Sequence, residues 1–357
     1  MRNQTIRLAY SSRRAPHAVF ARLLLIFVSL SAHHTMVRAQ DPSFSQFFAS
    51  PLTLNPALTG KFDGTVRVAG NYRNQWPSVN KAYITSTVSV DLGILKSRIA
   101  ENDRFGIGLM AMTDKTANGI LNSNYFSFST AYHKSIDEDG LHQIGVGFQG
   151  TYANKLLDGP RLRFLDGLQL DGTWLPSPTE PENLKQVTTH YFDMNAGVLY
   201  NGSLNGSNAV FLGASLYHLN KPKESFLGAG DVVVPTRLTV HGGGYFPSAS
   251  GGATWYVSAL YNQQASASEF VAGGALELSV SDDADYPVNF YLGSWARVNN
   301  VTDAIIPYIG LDYGSFNLGI TYDVNISAFK AATQGRGGFE ISLIYILKHT
   351  DEGQAVH

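Results

Sequence analysis

Apolar and polar side chains alternate along almost the whole chain, and nothing else in the sequence narrows its fold so far. Successive side chains of a strand point to opposite faces, so this alternation marks a sheet with two different surroundings. Phe316-Asn317-Leu318-Gly319-Ile320-Thr321-Tyr322-Asp323-Val324-Asn325 puts Phe, Leu, Ile, Tyr and Val on one face and Asn, Gly, Thr, Asp and Asn on the other. Ile144, Val146, Phe148 and Tyr152 oppose Gly145, Gly147, Gln149 and Thr151, and Phe270, Ala272, Leu276, Leu278 and Val280 oppose Gly273, Glu277 and Ser279. The pattern recurs at 65–73, 83–91, 105–112, 125–133, 192–200, 210–218, 238–246, 254–262, 288–297, 305–312 and 339–347. The total is about fourteen strands, an even number, as single-chain bacterial membrane barrels have.

A soluble sandwich also alternates, but it hides the apolar face and shows charge outside. Here charged residues are 15% of the chain, against about 25% in ordinary soluble proteins. The second face is Gly, Ser, Asn, Gln and Thr, with a few mixed charges (Arg67, Arg73, Asp193, Glu277, Arg297, Asp323, Glu340) that suit a wet or plugged lumen. Tyr72, Tyr152, Tyr200, Tyr217 and Tyr345 lie near strand ends, where membrane barrels carry interfacial girdles. The long connections, 154–190, 219–235 and 326–335, all fall at one end of such a barrel, and mostly compact turns fall at the other. Only 93–102 is long on the turn side. The expected fold is therefore all-β, a transmembrane antiparallel barrel of about fourteen strands with its turns and termini in the periplasm.

The two ends depart from the pattern. Arg7, Arg13, Arg14 and Arg22 lead into an apolar stretch at 23–30 and then Val37-Arg38-Ala39, the arrangement of a secretory signal peptide cut before Gln40. Residues 40–63 hold three prolines and no period-two pattern, which excludes a ladder strand. Phe44, Phe47, Phe48, Leu52 and Leu54 nevertheless need burial, so this stretch is expected to be plug-like, inside the lumen or against its periplasmic rim. The expected organisation is signal peptide 1–39, plug-like segment 40–63, barrel 64–347 and tail 348–357.

Chemistry-bearing motifs are absent or out of context. Gly145-Val146-Gly147-Phe148-Gln149-Gly150 matches a dinucleotide fingerprint by letter, but that motif must open a helix and these glycines lie inside a strand pattern. His241-Gly242-Gly243-Gly244 resembles an esterase oxyanion loop, yet no G-x-S-x-G elbow accompanies it. The chain has no cysteine and no H-E-x-x-H, so no cofactor, metal site or catalytic residue is expected. A net charge of -2 offers no field for nucleic acid.

Asp41-Pro42-Ser43-Phe44-Ser45-Gln46, Asn55-Pro56-Ala57 and Gly60 together resemble the opening of the PorP/SprF family of outer-membrane proteins, found in the type IX secretion and gliding apparatus of Bacteroidetes. Further matching motifs are Tyr72-Arg73-Asn74-Gln75-Trp76-Pro77, Ser89-Val90-Asp91, Asp193-Met194-Asn195-Ala196-Gly197 and Tyr217-His218-Leu219-Asn220-Lys221-Pro222. Pro235-Thr236-Arg237, His241-Gly242-Gly243, Tyr322-Asp323-Val324-Asn325 and Gly338-Phe339-Glu340-Ile341-Ser342 complete the set. The resemblance implies a non-enzymatic protein of the outer-membrane lipid that associates with type IX machinery and assists secretion or surface attachment of a protein client such as an adhesin. The residues expected at partner contacts are Phe44, Phe47, Asn55, Pro56, Trp76, His218, Asn220 and Lys221. A second resemblance, through the N-terminal segment and Asn55-Pro56-Ala57, is to FadL-like channels for small hydrophobic compounds, in which that segment would be a gate.

Overall fold

The structure, a computed structural model, describes residues 40–348 apart from 80–81, 96–97, 165–166, 176–184, 204–206, 227–231, 250, 282–286, 300 and 329, and leaves the side chains of 301, 302 and 332 undescribed. The expected signal peptide and all but the first residue of the expected tail lie outside the described residues. Fourteen strands form the fold: β1 Val66–Gln75, β2 Tyr83–Ile94, β3 Arg104–Thr116, β4 Leu121–Ser135, β5 His142–Asp158, β6 Gln186–Ser203, β7 Ala209–Tyr217, β8 Arg237–Pro247, β9 Ala253–Gln264, β10 Ala267–Ser281, β11 Val288–Asn299, β12 Val301–Tyr313, β13 Phe316–Asn325 and β14 Arg336–Leu347. Each pairs antiparallel with its sequence neighbours, and β1 closes on β14 from Val66↔Leu347 to Gln75↔Gly338. Closure removes the unpaired edges that an open sheet leaves, so every strand can sit in hydrocarbon with its backbone satisfied. No described helix is long and apolar enough to cross a membrane; crossing here is by strands.

The alternation sets the two faces as expected. Phe126, Phe128, Phe148 and Leu212 point outward and are more than half exposed, while Ser127, Ser129, Gln149 and Thr151 point inward and are buried. A continuous apolar exterior of this size is stable only against lipid. Tyr217 departs from its expected place in an outer girdle. It lies in phase with inward Ser215, is 5% exposed, and packs beneath the Arg237 guanidinium at 4.1 Å. Aromatics near strand ends mark an interface only when their phase is outward.

The connections 159–185, 218–236 and 326–335 all lie at one end, called here the loop end; β1 begins and β14 finishes at the other, the turn end. The longer turn-end connection, 95–103, is tied to its neighbour through Asp103, which accepts the Ser135 N–H at 2.9 Å and bonds Tyr132.

About eight strands make a barrel that side chains alone can fill, and about sixteen leave an aqueous channel. Fourteen lie between, and here the filling is residues 41–60. They enter beside β8 and β9 at the loop end, cross the lumen as short helical turns including Pro51–Leu54 and Pro56–Leu58, and leave at the turn end to become β1. Proline opens both of these turns, where its missing N–H costs nothing. The Phe-rich tract therefore lies inside the barrel along its length.

Candidate functional site

Three anchors hold the segment, starting at the loop end with Asp41. Its backbone N–H donates to Gln264 Oε1 at 2.8 Å, and its Oδ2 lies 2.7 Å from His218 Nε2 and 3.2 Å from Arg237 Nη1. His218 Nδ1 faces Asp193 Oδ2 at 3.0 Å. Burial works against a charged His218, but Asp41 and Asp193 outweigh it and raise its pKa to about 9. Burial also opposes ionisation of Asp41, yet the charges of His218 and Arg237 hold its carboxyl well below the usual range. The histidine's contribution is complete below its ordinary value of 6.5 and is lost as pH rises through about 9. The aspartate's is lost only in acid, as its carboxyl becomes protonated. Thermal unfolding of the detergent-solubilised barrel should accordingly fall in midpoint between about pH 6 and pH 10, and His218→Gln should remove most of that fall. An equal fall in the variant would place the alkaline transition elsewhere.

The second anchor is charged and buried. The Ser45 and Gln46 N–H groups donate to the two Glu340 carboxylate oxygens at 2.8 and 2.9 Å, and Ser45 Oγ donates to Asp323 Oδ2 at 2.9 Å. Asp323 Oδ2 lies 2.9 Å from both Arg73 Nη2 and Arg297 Nη2. Arg297 Nε also reaches Asp303 at 2.9 Å. The Gln46 side chain accepts from Ser342 Oγ at 2.8 Å and donates to Thr321 Oγ1 at 3.3 Å. Charges this deep persist only when paired. The ladder shifts register at Arg297/Val298 and at Asp323/Val324, irregularities of the kind that re-aim a side chain beside a site.

The third anchor is Asn55. Its Oδ1 accepts the Ala57 N–H at 2.9 Å, capping the turn Pro56–Leu58. Its Nδ2 reaches Val198 O at 3.0 Å, Ala214 O at 3.3 Å and His241 Nε2 at 3.0 Å. Gly197 and Gly147 allow this approach, since a Cβ on the first would meet Asn55 Oδ1 and one on the second the Ala57 backbone. Further on, Gly60 N–H donates to Asp91 Oδ2 at 2.7 Å, and Arg67 grips Asp91 through Nε at 2.9 Å and Nη2 at 2.7 Å.

Between the anchors the fit is apolar. Phe47 and Leu54 pack on inward Leu260, Val271, Ala275, Trp295, Ile306 and Tyr308, and Phe48 lies 4.9 Å from the Trp295 ring. Each such fully buried large side chain contributes about 1.5–3 kcal/mol. These inward apolar residues break the polar-inside expectation for β9–β12 and were missed by it; their signal is apolar character on both faces, as in Ala304-Ile305-Ile306.

Of the residues expected at partner contacts, Phe44, Phe47, Asn55 and Pro56 are buried in the lumen against the barrel's own wall. His218 is buried on Asp41, whereas Asn220 and Lys221 are exposed at the loop end. Asn220 pins its turn to β6, donating to Phe192 O at 2.7 Å and accepting the Met194 N–H at 3.0 Å. Trp76, half-buried at the same end, donates its backbone N–H to Gly337 O at 2.7 Å and packs on Tyr83. No group of His, Asp or Glu among the described residues is arranged to hold a metal ion.

The motifs scattered through the sequence thus converge on one segment: Arg73, Asp91, Asp193, Asn195, His218, Arg237, His241, Asp323 and Glu340 all touch residues 41–60 or a side chain that does. A family model described as the type IX secretion system membrane protein PorP/SprF matches residues 36–345. The chain belongs to this family. No curated protein matches it. Among solved structures, a monoaromatic hydrocarbon channel, CymD, is similar at 11% identity and TM-score 0.45, covering 84% of this chain and 93% of the channel. The Ralstonia pickettii toluene transporter TbuX matches at 11% and 0.42, covering 83% and 91%, and BamA from Haemophilus ducreyi at 10% and 0.41, covering 79% and 70%. These likenesses are of barrel to barrel and say nothing of substrate. In this PorP/SprF chain the lumen is built around the chain's own N-terminal segment.

Proposed function

We propose that the protein is a non-enzymatic outer-membrane component of the type IX secretion system that assists secretion or surface attachment of a protein client such as an adhesin. Family membership over residues 36–345 carries this reading. The filled lumen supports it, because a barrel whose interior is bonded to its own chain serves as a docking body rather than an open solute path. The turn end and the C-terminus face the periplasm, and the signal peptide is removed before Gln40. The loop end, where Asp41 is held by Gln264, His218 and Arg237, faces outward and carries the mature N-terminus, in place of the periplasmic N-terminus expected from the sequence. Client contact falls at the loop end, on Trp76, Asn220 and Lys221, with His218 behind them. Phe44, Phe47, Asn55 and Pro56 meet a partner only if the segment leaves the lumen.

Topology has a direct test. Cysteines placed at exposed Leu170 and Ala331 should react with an impermeant maleimide on intact cells, and one at exposed Asp139 should not. The reverse pattern inverts the barrel. For function, deleting the gene should leave a particular large surface protein inside the cell while uptake of small solutes is unchanged. Normal display of every type IX cargo, with lost uptake of a hydrophobic compound, moves the protein to the FadL-like channel reading.

A further inference from the structure

One residue from each of five consecutive strands forms a row near the turn end: Tyr245 of β8, Tyr256 of β9, Glu277 of β10, Tyr291 of β11 and Asp312 of β12. They are in phase with His241, Leu260, Ala275, Trp295 and Tyr308, which meet the plug or the apolar cluster around it, so all five side chains point into the lumen. The row is continuous. Tyr245 and Tyr256 pair across the ladder with rings 6.0 Å apart, and the Tyr256 and Tyr291 rings lie 5.7 Å apart. Glu277 is the cross-strand partner of Tyr291, whose hydroxyl donates to Asp312 Oδ2 at 2.6 Å.

The plug turns away from this side of the lumen. Past Asn55 it runs toward β2–β4, where Thr59 Oγ1 bonds Ser129 and Gly60 bonds Asp91. Tyr245 is accordingly 42% exposed although it faces inward, and the other four residues are partly exposed. Among the described residues no Lys, Arg or His lies within ion-pair distance of Glu277 or Asp312. The groups that donate to Asp312, Tyr291 and Asn317, are neutral. Open aromatic faces beside two carboxylates without a cation are complementary to a flat, delocalised positive charge.

We propose that this row is a docking site for an arginine side chain of a protein partner that reaches the lumen from the turn end. The guanidinium stacks on the Tyr245 and Tyr256 rings and donates to Glu277 through its paired N–H groups. A lysine ammonium fits less well, being a compact and more strongly hydrated charge that cannot stack. A sugar would use the same rings but leave both carboxylates uncompensated. The chemistry of the site follows from the lumen alone; that the partner is periplasmic rests on the orientation proposed above.

Tyrosine ring resonances read the site directly, with Tyr217, buried beneath Arg237 at the loop end, as internal control. The full chain, labelled at tyrosine ring carbons and held in detergent, would be titrated with capped Ala-Arg-Ala, its citrulline and lysine counterparts, free arginine and cellobiose. Ala-Arg-Ala should shift Tyr245, Tyr256 and Tyr291 saturably and leave Tyr217 in place. The neutral citrulline peptide should bind at least about tenfold more weakly and the lysine peptide at least about threefold. Glu277→Gln, and independently Tyr245→Leu, should each weaken Ala-Arg-Ala at least about fivefold, with an unmoved Tyr217 resonance showing that the barrel is folded. The proposal is overturned if the arginine peptide gives no saturable shift, if the citrulline or lysine peptide or cellobiose binds equally well, or if both variants bind as the parent does. Shifts by free arginine without shifts by the capped peptide would assign the site to a solute and overturn the protein partner.

Discussion

Asp323→Ala should destabilise the folded barrel by about 3–5 kcal/mol, the cost of breaking a buried ion pair from one side. Among the described residues Asp323 is the one carboxylate shared by Arg73 and Arg297, 2.9 Å from each, and the side chains of all three are at most 3% exposed. Its removal leaves two guanidinium groups that converge on one Asp323 oxygen without it and takes away the acceptor of Ser45 Oγ. Glu340 stands 3.9 Å from Arg73 Nε and is engaged by two backbone N–H groups, so it cannot replace Asp323 without releasing them. The comparison is Lys134→Ala, which removes a 62% exposed partner of Asp103 and should change stability by no more than about 1 kcal/mol. Denaturant unfolding in detergent, followed by tryptophan fluorescence, measures both, and Trp295 reports from the plug interface itself. A loss for Asp323→Ala no larger than that for Lys134→Ala would contradict a buried, plug-holding network.

The strands were legible because membrane and lumen differ so sharply that period-two alternation survives in nearly every strand. The plug was legible in outline for the opposite reason: Pro42, Pro51 and Pro56 bar a ladder strand, while Phe44, Phe47 and Leu52 demand burial. What they bury against was not legible. Trp295, Ile306 and Tyr308 face inward on strands whose outward residues are also apolar, so no alternation flags them. Nor does local sequence show that His218 meets Asp41 from 177 residues away, or that Arg297 and Asp323 converge on Ser45. Those contacts are made only when the barrel closes around the segment; the register shift beside Asp323 falls at Gly337, one glycine among many in the chain, and the one beside Arg297 falls at Asp303 with no glycine to mark it. Tyr217 shows the same lesson on a single residue: its place near a strand end pointed outward, while its phase with Ser215 put it inside under Arg237.

Removing residues 44–58 should open the lumen, because those residues carry the Phe47 and Leu54 packing and the Ser45, Gln46 and Asn55 bonds that fill it. The remaining wall is that of a barrel between the side-chain-filled and channel-forming sizes. Planar-bilayer recording on the purified full chain and on the deletion tests this directly. A plugged, partner-docking barrel predicts a nearly silent intact protein and steady channels in the deletion, with conductance higher by about tenfold or more. Steady channels of the same size from both proteins would contradict it, since the segment would then not seal the lumen that its contacts fill.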